Sequence, residues 1–188
     1  MDETLREKLG AGEQLLWSGK PEGFETLDKT NKKRILLKML IAVAVCALLL
    51  VEYVILAGKN NADIKPAAII VVVACGAYFC LDSFLQANQL KKVRYAITDK
   101  RLLCVSGDEV KGVSYENVPA ACFKKDADGH VTLLCGEEGM KAKPSNWRSI
   151  ALHPLNMANS NVCESFAFYA LPDADRVKKI LKEYLTLL

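Results

Sequence analysis

The chain is poor in the side chains that most enzymes are built from. Its 188 residues include two histidines, His130 and His153. Neither sits at a recognisable spacing from a Cys, Asp or Glu that would make a nucleophilic or metal site. No Gly-rich phosphate loop, nucleophile elbow or His-Glu-x-x-His helix occurs. Seven cysteines are present, but no two are spaced as CxxC. They are expected to be small buried apolar residues, with no disulfide, metal or cofactor. Strong charge is also missing. The formal net charge is +3, and residues 91–188 carry all of it, with 15 basic against 12 acidic side chains. A balance this mild and mixed argues against nucleic acid. No enzyme is expected.

What the chain has is apolar length. Leu36–Leu56 and Ala67–Leu85 are long apolar stretches, and Met39–Val51 holds no charged or strongly polar side chain. At about 1.5 Å per residue the first stretch reaches about 31 Å, enough to cross a hydrocarbon core. A soluble core helix would show a polar face every 3.6 residues. The expectation is a transmembrane hairpin over 35–87, with spans at 36–56 and 67–85 and a loop at 58–66. Residues 1–34 form an arm before it, and 91–188 a soluble domain after it. Lys32, Lys33 and Arg34 precede the first span, and Lys91, Lys92 and Arg94 follow the second. By the positive-inside rule both termini are expected in the cytoplasm of a multi-pass plasma-membrane protein. The first span begins too far from Met1, and is too long, for a signal peptide.

Three charges lie within the spans. An antiparallel hairpin with its loop centred near Asn61 puts Lys38 and Asp82 at equal depth, so they either pair or each reach the headgroups separately. Glu52 has no such depth partner. It either snorkels toward Lys59 or meets a polar group of a partner. Small residues (Ala42, Ala44, Cys46 and Ala47 against Ala74, Cys75, Gly76 and Ala77) allow close helix approach or oligomer contacts.

Beyond the spans the pattern becomes short and alternating. Strands are expected at 93–98, 101–106, 110–115, 121–125, 130–135 and 164–171, with tight turns at Asp99-Lys100 and Gly107-Asp108. Residues 136–161 give no clear assignment. Asp173 is a candidate N-cap, and Val177, Ile180, Leu181, Tyr184, Leu185 and Leu188 form one helical stripe.

Tyr95-Ala-Ile-Thr-Asp-Lys-Arg-Leu-Leu103 resembles the signature hairpin of the bacterial pleckstrin-homology-like (PH-like) membrane proteins, which follows a transmembrane pair. Val113–Val118, the ending from Phe168, and Gly12–Pro21 are similar to other parts of that family. The middle around Lys143–Asn161, with Trp147 and His153, departs from it. The resemblance implies an α+β chain: a transmembrane helical hairpin, then a PH-like bent antiparallel sheet or barrel capped by a C-terminal amphipathic helix. It implies docking of protein partners or self-association at a prokaryotic membrane. Alternatives are sensing of anionic lipids, or an accessory role in a transport or secretion complex. Asp99, Lys100 and Arg101 then either brace their turn or offer an anion site. Lys91, Lys92, Arg94, Lys124 and Lys125 are candidates for a basic surface facing the bilayer.

Overall fold

The structure is a computed structural model that describes residues 5, 7–23, 25–152 and 162–188. His153 and the rest of the unassigned stretch, to residue 161, lie outside the described residues. The chain divides into two compact units, Thr26–Leu85 and Met1–Glu25 with Gln86–Leu188.

The first unit carries two long helices, α1 (Lys32–Lys59) and α2 (Pro66–Leu90, whose last turn enters the second unit). Both are long and apolar enough to cross a membrane. Their large side chains face outward: Leu40, Leu48 and Ile70 are each about two-thirds exposed, the reverse of a soluble core helix. At the start of α1, Asp28 Oδ1 accepts from Asn31 N and Nδ2 at 2.8 and 2.9 Å. At its end the chain turns through Asn61 in the left-handed region (φ 47°), and Ala62 N donates to Ala57 O. Pro66 opens α2, where its missing N–H costs nothing, and Lys65 N donates to the Tyr53 hydroxyl at 2.9 Å. Midway, Gly76 packs on Cys46, and a Cβ added at Gly76 would overlap Cys46 Sγ.

The second unit is two antiparallel sheets. The first runs β1 (Leu15–Gly19), β2 (Val93–Thr98), β3 (Arg101–Ser106), β4 (Glu109–Ser114), in that order. The second runs β5 (Ala121–Lys125), β6 (Val131–Cys135), β7 (Phe166–Phe168). Between them lie a 3-10 turn at Tyr115–Asn117 and Pro119. The sheets are not closed into a barrel, because the β3–β4 ladder ends at Ser114 and no strand pairing joins the two sheets among the described residues. β1 belongs to the segment expected to be an arm. It pairs with β2, so the whole hairpin is inserted between two adjacent strands.

One core fills the space between the sheets, with Tyr95, Ile97, Leu102 and Val113 from the first and Leu133, Phe166 and Phe168 from the second. Trp17 and Trp147 are buried in it. The other face of the first sheet is covered as well. Ala96, Leu103 and Val105 pack with Leu5, which is why β2 is buried on both faces. Tyr95 joins the sheets. Its ring stacks on Phe168 with centroids 4.4 Å apart, and its hydroxyl accepts from Tyr169 N at 3.1 Å.

Residues 136–152 hold two short helices, α3 (Glu137–Lys141) and α4 (Trp147–Leu152). The last helix, α5 (Ala174–Leu181), buries Val177 and Leu181 in the core. It is shorter than the stripe to Leu188 implies. Asp173 makes no side-chain cap bond, because its own backbone is left-handed (φ 52°) where a cap needs an extended one. After α5 the chain turns and runs beside β5, where Ala121 N donates to Thr186 O and Leu188 N to Ala121 O. An edge strand needs partners for its main chain, and that demand outweighs continued helix here.

Replacing Tyr95 with Phe keeps the stack and leaves the buried Tyr169 N–H without an acceptor. Thermal or urea unfolding of the full chain should show a loss of about 1–3 kcal/mol from the sheet unit.

Candidate functional site

The Thr98-Asp99-Lys100-Arg101 turn is densely bonded, and its partner is a residue that the sequence pattern did not single out. Glu13, just before β1, has a nearly inaccessible side chain. Its carboxylate accepts from Arg101 Nε at 2.8 Å, Arg101 Nη2 at 2.9 Å, Thr98 Oγ1 at 2.8 Å and Gly10 N at 2.7 Å. Thr98 Oγ1 in turn accepts from Lys100 N and Arg101 N. Asp99 is joined to the same segment: Gln14 N donates to Asp99 Oδ1 at 2.8 Å, and Asp99 N to Gln14 O at 3.1 Å. From the other side the Tyr115 hydroxyl donates to Thr98 O, and the Tyr115 ring stacks on Tyr184 at 5.0 Å.

The electrostatics follow from that geometry. The Arg101 guanidinium, helped by the Gly10 N–H and the Thr98 hydroxyl and opposed by burial, holds the Glu13 carboxyl at about 2, below its ordinary 4.5. Glu13 raises Arg101 in return. Arg101 therefore spends its fork on an internal carboxylate, and a bidentate pair of this kind is strong and oriented. Lys100 is exposed beside it. The missed signal is a lone Glu 88 residues away in sequence, at a spacing no local pattern encodes.

Within the hairpin, Lys38 Nζ stands 2.6 Å from Asp82 Oδ2, with both side chains half-buried. Glu52 is exposed on α1. The basic candidates stand on different sheets. Lys91, Lys92 and Arg94 lie where α2 runs into β2, while Lys124 and Lys125 lie on β5, with Lys124 Nζ donating to Met140 O. Lys92 lines a cleft of about 330 Å³ together with Ser106, Glu109 and Lys111. Lys111 there is 3.3 Å from Glu109 Oε1 and donates to Leu152 O.

Other reactive groups are occupied or buried. Burial pushes the Cys104 thiol up to about 12 and Cys163 up to about 11, so neither is a ready nucleophile. His130 is mostly buried, with Nδ1 3.5 Å from Asp126 Oδ2. Asp126 Oδ1 accepts from Asp128 N and His130 N, which shapes the β5–β6 turn. Among the described residues no His/Cys/Asp/Glu group could hold a metal ion.

Comparison with protein families, with curated proteins and with solved structures finds no match.

Two outcomes follow from this geometry. Glu13→Gln should cost about 1–3 kcal/mol at neutral pH in urea unfolding. Because the folded carboxyl lies below its ordinary value, the stability it supplies is complete above about 4.5 and lost as pH falls through about 2. The gap between wild type and Glu13→Gln should therefore close over that window. In bicelles, a double-mutant cycle of Lys38→Ala and Asp82→Ala should return a coupling of about 0.6–1.7 kcal/mol, and no coupling would show two independently solvated charges.

Proposed function

We propose that this chain is a two-span protein whose hairpin holds a PH-like domain against the cytoplasmic face of a prokaryotic plasma membrane. There the domain docks protein partners or a second copy, without catalysis. The observation that carries the reading is the insertion of the hairpin between β1 and β2. Both ends of the membrane segment lead into neighbouring strands of one sheet, so the domain is tethered by two chain crossings. The Lys and Arg residues that flank both ends support a cytoplasmic domain. Two sheets around one core, with a terminal amphipathic helix against it, support the PH-like resemblance.

The edge of β5 supplies a docking mechanism. Ala121 directs both its N–H and its C=O to the chain's own tail at Leu187. In an antiparallel ladder these groups alternate in direction, so Phe123 and Lys125, which share Ala121's side, also turn theirs to the edge. An extended segment running parallel to β5 would continue the pairing that the tail begins. A second reading, recognition of an anionic headgroup, is favoured by the cleft around Lys92, which directly follows a spanning helix. The turn itself is a weak anion site, because Glu13 already occupies Arg101.

Crosslinking of the full-length protein in native membranes, followed by mass spectrometry, separates the two. Docking by sheet edge predicts a discrete homo-oligomer or one reproducible protein adduct that survives about 0.5 M salt, where the Debye length is only a few ångströms. A monomer giving only lipid adducts, lost on adding salt, would transfer the assignment to the headgroup reading.

A further inference from the structure

An apolar groove of about 610 Å³ runs between α1 and α2. Ile41, Val45 and Leu49 line it on α1, and Val71, Cys75 and Phe79 on α2. The α1 residues recur every four positions and form one row. Glu52, three residues past Leu49, continues that row toward the loop end of the hairpin. It is exposed, and among the described residues it has no hydrogen-bond or ion-pair partner. The charges at the opposite end are treated differently, since Lys38 is neutralised by Asp82.

The groove and the carboxylate together restrict what can lie there. An acyl chain fills an apolar groove but offers the carboxylate no donor, and an unpartnered acid in hydrocarbon is strongly disfavoured. A second copy docked groove to groove about an axis along the bilayer normal would bring Glu52 against Glu52 at equal depth, two like charges at close range. A helix of different sequence with a basic side chain at that depth meets both demands. We infer that the groove receives one transmembrane helix of another protein, apolar along the row and carrying a Lys or Arg opposite Glu52. This rests on the membrane-spanning reading of the hairpin and deepens the proposal of a protein partner.

The test uses full-length protein reconstituted in phosphatidylcholine vesicles, with insertion checked by resistance to carbonate extraction. Two synthetic single-span Leu/Ala peptides serve as probes, differing only in Lys or Leu one turn inside one end. Energy transfer between labelled protein and peptide should half-saturate at roughly fivefold lower peptide-to-lipid ratio for the Lys peptide. That preference should vanish in Glu52→Leu, and Val45→Trp, which fills the row, should weaken both peptides. Equal association of the two peptides with wild type would overturn the inference, and so would a preference that survives Glu52→Leu. Extraction of the protein by carbonate would overturn the membrane reading itself, which is a separate and distinguishable failure.

Discussion

The structure depends on closing one sheet around a long excursion. β1 and β2 are neighbours in space, yet residues 20–92 lie between them in sequence. For a flexible loop of that length, closure would cost about 3 kcal/mol more than for a two-residue turn. The excursion is not flexible, because an antiparallel helix pair returns the chain close to where it left, and Gly76 on Cys46 and Lys38 on Asp82 hold that pair together. What remains of the cost is offset locally. Trp17 is buried in the core, Leu5 covers the outer face of the sheet, and Glu13 and Gln14 fasten the segment to the β2–β3 turn. If Glu13 lost its partners, the strand that closes the excursion would lose its anchor, and the edge of β2 would open.

This accounts for the residues of the motif. Tyr95 ties sheet to sheet, Ile97 fills the core, Thr98 organises the turn, and Arg101 receives Glu13. Each is spent inside the fold. The Tyr-x-Ile-Thr-x-x-Arg segment of this chain is therefore explained by the demands of the sheet, without appeal to a ligand. On the proposed reading, recognition falls elsewhere, to the β5 edge, the cleft at Lys92 and the α1 row that ends in Glu52.

Legibility in the sequence followed the range of the interaction. The two apolar helices were legible because a stretch with no polar face has few soluble solutions, and strands β2 to β6 because alternation is local. The Lys38–Asp82 contact is reachable by depth arithmetic, since a short loop leaves an antiparallel hairpin with one free parameter. β1 was not legible. Leu15–Gly19 is too short to display a period, and its partners lie beyond the hairpin. The terminal helix was overextended for a related reason. Tyr184, Leu185 and Leu188 keep helical spacing, but the outward N–H and C=O of Ala121 bond the tail and draw it into strand geometry. Whether a bent sheet closes or splits into two is likewise decided by where ladders end, and no residue pattern near Ser114 or Pro119 records that.

Two chain crossings into adjacent strands restrict a domain more than a single tether would. A tethered domain meets membrane-bound partners at an effective concentration set by the tether, which short linkers raise to the millimolar range. Under that condition a small site suffices. A few main-chain groups at the edge of β5 would be negligible as a docking surface for a freely diffusing protein, whose association must first overcome the loss of its translational and rotational freedom. Beside the bilayer much of that loss is already met by the anchor, and a helix seated in the hairpin groove would meet more of it. On the proposed reading the apolar helices and the sheet edge are parts of one recognition scheme, in which the membrane supplies proximity and the edge need supply only register.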